Sequence, residues 1–134
     1  MHYFGGCLCG ALRYEASADP LVAGYCFCND CQRASGSGFI PFVGFSSTVL
    51  RFNGRAKQFT SKAASGGNAV RNFCSLCNSL VFGGELEKSD SFTIYAGTLD
   101  DRAAFRPTIA IFAANRPPWV PLPPDLKVFD GLPS

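Results

Sequence analysis

Seven cysteines gathered in three tight clusters constrain this chain more than any other feature. Cys26, Cys28 and Cys31 fall within Tyr25 to Gly36 (YCFCNDCQRASG), while Cys7/Cys9 and Cys74/Cys77 come as spaced pairs. An odd number of cysteines cannot all pair within one chain, and clustered thiols of this kind read first as metal ligands. The count divides naturally into four plus three. Four thiolates from the two pairs are enough for one closed tetrahedral site of the structural type. Three from the central stretch leave a position free for water or substrate, as catalytic zinc sites do.

Spacing alone leaves alternatives. Cys7 and Cys9, two apart, would leave the same face of a strand. Cys74-Ser75-Leu76-Cys77 is a knuckle, in which backbone N–H groups turn towards the sulfurs of one bound ion. Cys26, Cys28 and Cys31 could instead share a metal with Cys74 and Cys77, leaving Cys7 and Cys9 over. His2, the only histidine, could close a three-cysteine site; the plainer reading is a loose terminal residue.

A chain of 134 residues, 47% hydrophobic and with 13 phenylalanines, can bury a core without a metal to hold it together. Bound metal would then brace loops and do chemistry, and the whole span 1–134 is expected to fold as one domain. The net charge of +2 is small and its lysines and arginines are dispersed, which excludes an obvious nucleic-acid surface. The first residues, MHYFGGCLCG, lack the pattern of a signal peptide, and no apolar run approaches the ~20 residues of a membrane helix. A cytoplasmic location is expected from this.

Short aromatic and β-branched runs broken by glycine and proline predict a mainly β protein. Strands are expected at Ala11–Ala16, Phe39–Phe45, Val49–Phe52, Lys57–Thr60, Ala69–Phe73, Leu80–Gly83, Phe92–Tyr95 and Thr108–Phe112. Pro41 suggests an edge or a bulge, and Asn53–Gly54 suggests a hairpin turn between the third and fourth of these. Only Asn29–Ser35 reads as helix, with Asn29 or Asp30 near its N-cap. Pro117–Pro124 (PPWVPLPP) must lie extended, and Gly66–Gly67 has no phosphate-loop context and reads as a turn.

The succession GGCLCGALRYE, YCFCNDCQRASGSGF, RNFCSLCNSLVF, AGTLDD and RPPWVPLP resembles the glutathione-dependent formaldehyde-activating enzymes over almost the whole chain. The resemblance implies an antiparallel β-tent of small sheets with one short helix, shared with the methionine-R-sulfoxide reductases and braced by zinc. It also implies two zincs, a structural one on Cys7, Cys9, Cys74 and Cys77 and a catalytic one on Cys26, Cys28 and Cys31. The implied activity is that of a carbon–sulfur lyase forming S-hydroxymethylglutathione from glutathione and formaldehyde. Two positions depart from the family pattern: Phe27 stands where histidine is usual, and Asn78 where glycine is usual. Asn tolerates the left-handed backbone that glycine often supplies, whereas Phe27 removes a candidate proton carrier.

Three thiolates leave bound zinc a formal charge of −1, which suits it to holding a substrate thiol as thiolate better than to making hydroxide. Addition of that thiol to a small aldehyde, or the reverse cleavage, is the expected chemistry. Glutathione needs cations for its carboxylates, and Arg33 and Arg71 are the candidates because each adjoins a cysteine cluster; either could equally be a surface arginine. Asp30 reads as a helix cap before a general base, and Trp119 as core cover before a pocket wall. Other classes make different demands. A methionine sulfoxide reductase would need a nucleophilic cysteine late in the chain, and none follows Cys77. A non-catalytic zinc module would have the trio capped or inaccessible, and a redox sensor would form a disulfide within Cys26, Cys28 and Cys31.

Overall fold

The computed structural model describes residues 1–63 and 65–133. It is mainly β, with eleven strands in two sheets and one α-helix. In the first sheet β1 (Tyr3–Gly6), β2 (Arg13–Ala16) and β5 (Leu50–Asn53) lie in the order β1-β2-β5, all antiparallel. The second sheet contains β3 (Val22–Cys26), β4 (Ile40–Ser46), β6 (Ala56–Lys62), β7 (Asn68–Cys74), β8 (Leu80–Gly83) and β9 (Ser91–Tyr95). Two short strands, β10 (Ile109–Ile111) and β11 (Lys127–Val128), complete it in the order β11-β10-β3-β4-β9-β8-β7-β6. The ladders β10–β3 and β10–β11 are parallel, a departure from the otherwise antiparallel pattern.

The two sheets enclose the main core. Tyr14 and Ala16 of β2, Val43 and Phe45 of β4, Val81 and Phe82 of β8, and Phe92 and Ile94 of β9 are all buried in one cluster. Phe52 stacks on Phe82 at 4.2 Å between ring centroids and meets Phe92 edge-on at 5.3 Å. Each such side chain taken fully out of water contributes about 1.5–3 kcal/mol before the cost of ordering it. Because strand side chains alternate, the other face of the large sheet carries Phe42, Thr93, Tyr95 and Arg71. That second face is where the functional residues collect.

The predicted hairpin between Val49–Phe52 and Lys57–Thr60 does not form. β5 pairs with β2 in the small sheet, and β6 pairs with β7 over seven residues in the large one. The Asn53–Gly54 turn carries the chain from one sheet to the other. Gly54 has φ 105°, and a Cβ there would run into the carbonyl of Ala11, so the crossing needs glycine.

Pro41 lies in β4, which is interior rather than at an edge. The Gly44 carbonyl accepts from Leu21 N–H on the β3 side, so Pro41, three residues away, directs its nitrogen to the β9 side. The β9 ladder begins only at Phe42. The missing N–H therefore falls where no partner strand runs, and proline is tolerated.

The helix α1 spans Asn29–Ser35 as expected, but its N-cap is Cys28. The Cys28 Sγ accepts from Cys31 N–H at 3.2 Å, and Gly36 closes the other end with φ 71°. Asp30 sits in the first turn, where its charge complements the helix dipole, and does not cap. The proline-rich segment is not extended throughout: Val120 N–H closes a turn onto the Pro117 carbonyl, seating Val120 in a second, smaller core with Phe27 and Ala110. Gly66 and Gly67 lie in the turn after β6, as expected. Among the described residues no helix is long and apolar enough to cross a membrane.

Candidate metal centres

The cysteines come together as four and three. Cys7, Cys9, Cys74 and Cys77 form one group and Cys26, Cys28 and Cys31 the other, with the sulfurs of each lying within 4.8 Å of one another. The alternative pairing of the trio with Cys74 and Cys77 does not occur. His2 belongs to neither group; it is exposed, lies 3.9 Å from Glu15 and stacks on Phe4.

Local structure aims the four-sulfur group inward. Cys7 and Cys9 follow β1 in a turn rather than on a strand, closed by Gly10 N–H on the Cys7 carbonyl. The opposite half is the knuckle after β7. There Leu76 N–H and Cys77 N–H both approach Cys74 Sγ, at 3.4 and 3.5 Å, while Leu12 N–H donates to Cys7 Sγ at 3.3 Å. Backbone donors of this kind stabilise thiolates. The Cys77 thiol is held below its ordinary range by a hydrogen bond with Ser79, whose hydroxyl lies 3.1 Å away.

A tetrahedron with metal–sulfur bonds of about 2.3 Å has edges of roughly 3.8 Å. The Cys7–Cys9 and Cys9–Cys74 sulfur separations are 3.6 and 3.7 Å. Both separations match the edge of a tetrahedral site, and all four sulfurs lie within 4.8 Å of one another, so the group suits an ion of soft-ligand preference. Asn78 N–H returns to the Cys74 carbonyl, and Asn78 itself takes φ 63°, so asparagine supplies the left-handed conformation expected of the usual glycine.

The trio is assembled by one strand end and one helix start. Cys26 ends β3 and is buried, whereas Cys28 and Cys31 flank the first turn of α1 and are half-exposed. Hydrogen bonds with Cys26 and Cys31 pull the Cys28 thiol well down, and the bond to Cys28 pushes Cys26 well up. The three thiols therefore act on one another's protonation through direct contacts. Phe27 faces the other way, fully buried against Phe39 and Tyr25 with ring centroids at 5.6 and 6.3 Å. The position is a core position in this chain.

Cys26 and Cys31 line a cavity of about 380 Å³ on the second face of the large sheet. Arg71 of β7 lines it too. The residue is only 8% exposed, with one terminal nitrogen 3.9 Å from Cys31 Sγ and a buried Nε that has no hydrogen-bond partner among the described residues. Glu85 at the same cavity is engaged by Lys88 at 3.2 Å. Arg33 is elsewhere: it lines a separate hollow with Asn29, Gln32 and Trp119. Trp119 is 71% exposed, so it walls that hollow and covers no core. Sequence reasoning missed Tyr95 and Gly83, which also line the cavity. The period-2 pattern of Ser91–Tyr95, with Phe92 and Ile94 on the core side, was the available signal.

Comparison with known proteins agrees with this geometry. The profile of the glutathione-dependent formaldehyde-activating enzyme family matches residues 2–115. A search of curated proteins found no match. Among solved structures, a Rhodobacter sphaeroides protein is similar in fold, with a TM-score of 0.53 and 19% identity. The similarity covers 73% of this chain and 88% of that one. On the match over residues 2–115, the chain belongs to the glutathione-dependent formaldehyde-activating enzyme family.

Proposed function

We propose that the protein is a zinc-dependent carbon–sulfur lyase that joins a glutathione-like thiol to a small aldehyde, or releases the aldehyde again. Cys7, Cys9, Cys74 and Cys77 would hold a structural zinc, and Cys26, Cys28 and Cys31 a catalytic one. Zinc at the trio would supply one thing: it would lower the pKa of a bound thiol and keep it as a nucleophilic thiolate.

The observation that carries this reading is the shared cavity of Cys26, Cys31 and Arg71. A trio serving only structure would be closed, whereas this one borders space for a ligand. Arg71, buried and without a carboxylate partner among the described residues, is suited to receive a substrate carboxylate and to balance the negative charge of three thiolates. Arg33 lines a separate hollow, so the anchor this reading relies on is Arg71. His2 stands outside the trio, exposed beside Glu15, so the trio as it stands has three sulfur ligands and no histidine cap.

Cobalt-substituted protein tests the proposal, because the visible absorption of cobalt reports its ligand set. Titration with glutathione should shift the absorption of one of two bound ions and leave the other unchanged. A spectrum indifferent to thiol would overturn the reading and favour the module.

A further inference from the structure

Carbonyl addition moves an electron pair onto oxygen, and an enzyme for it needs a donor aimed at that oxygen. Phe27 is buried away from the cavity, so the donor must come from another element. Arg71 and Tyr95 both line the cavity, as do the smaller polar side chains of Asn68, Ser91 and Thr93, and Arg71 Nε is buried without a hydrogen-bond partner among the described residues. Tyr3 and Tyr14 bond Asp19 and Thr98 through their hydroxyls, whereas that of Tyr95 has no protein partner among the described residues.

The setting of Tyr95 is built for this. It ends β9, where it pairs with Phe42 of β4, and its ring leans back over β8. The hydroxyl lies 3.0 Å from where a Cβ on Gly83 would be, so the missing side chain of Gly83 forms its cradle. Gly83 pairs in turn with Arg71, whose guanidinium approaches Cys31. Cysteine sulfur, guanidinium and phenol are thus arrayed along one wall of a single cavity. Burial raises the phenol above its ordinary range, which keeps its proton in place to donate.

Resting on the lyase reading, we propose that Tyr95 is a catalytic residue that donates to the oxygen of the aldehyde. The thiolate sulfur supplies an electron pair to the carbonyl carbon, the C–S bond forms, and the carbonyl π pair moves to oxygen. Tyr95 O–H bonds that oxygen and passes it the proton. The phenolate then recovers a proton from water, matching the one the thiol released on binding. In the cleavage direction Tyr95 first gives its proton to water, and its phenolate takes the hydroxyl proton. The C–S pair returns to sulfur as formaldehyde leaves, and the thiolate regains the released proton.

The experiment is exchange NMR at equilibrium with ¹³C-formaldehyde and glutathione, on zinc-loaded protein, with thiol binding read separately from cobalt absorption. Wild type should accelerate exchange between free and thiol-bound formaldehyde. Tyr95→Phe should slow the enzyme-dependent part about 10- to 100-fold, while its thiol affinity stays within about twofold of wild type. Gly83→Ala, which crowds the hydroxyl without removing it, should slow exchange in wild type and add nothing in a Tyr95→Phe background. Equal exchange by Tyr95→Phe and wild type would overturn the role of Tyr95 alone. Parallel loss of thiol binding in Tyr95→Phe would make it a structural residue and overturn it too. Absence of any acceleration by wild type would overturn the lyase reading, and this assignment with it.

Discussion

Asn78 shows how a single residue fits its backbone. It follows the Cys74–Cys77 knuckle at φ 63°, a conformation costing most L-residues roughly 1–2 kcal/mol and asparagine less. Asn78→Gly should therefore leave the melting temperature nearly unchanged. Asn78→Ala should lower stability by about 1 kcal/mol; equal stability in the two variants by thermal unfolding would contradict this. Cys28 is similarly double in its duty, since its sulfur belongs to the trio and also caps α1. That second role was not legible in the sequence, where Asn29 and Asp30 are the better-known capping residues and sulfur is an unusual acceptor.

At the scale of elements, what could be read in advance followed from side-chain period and cysteine spacing. The apolar run around β4, the knuckle after β7 and the extent of α1 all lie where local chemistry alone indicates. Pairing was less legible. Asn53–Gly54 looks like a hairpin turn, yet it joins two sheets, because Gly54 accommodates a close approach to Ala11 that only the tertiary fold brings about. The facing of Phe27 was hidden for the same reason: it lies between two trio cysteines, but Phe27 N–H bonds the Ile111 carbonyl and its ring enters the small core with Ala110 and Val120. Restoring the family's histidine should consequently place an imidazole in that core. Phe27→His is expected to cost about 2–4 kcal/mol, from lost packing and a buried polar group, and to leave formaldehyde exchange no faster. A stable variant with increased exchange would contradict the core assignment.

Across the whole molecule, the two cysteine groups have separate mechanical consequences. A metal on the four-sulfur group would tie the turn after β1 to the knuckle after β7, and so link the small sheet to the large one. The trio borders a cavity on the far face, and a metal there would tie together only β3 and its neighbouring helix. Cys74→Ser should accordingly lower stability by several kcal/mol, or about 10 °C in melting temperature for a chain of this size. Chelation of wild type should act in the same direction.

The most direct test of the central claim is the count of bound metal in wild type and in Cys28→Ser, since serine preserves the helix cap while removing a thiolate. Two zinc ions per chain in wild type and one in Cys28→Ser, with the melting temperature little changed, is the predicted result. Two ions retained in Cys28→Ser, or a single ion in freshly prepared wild type, would contradict the assignment of the trio as a metal centre.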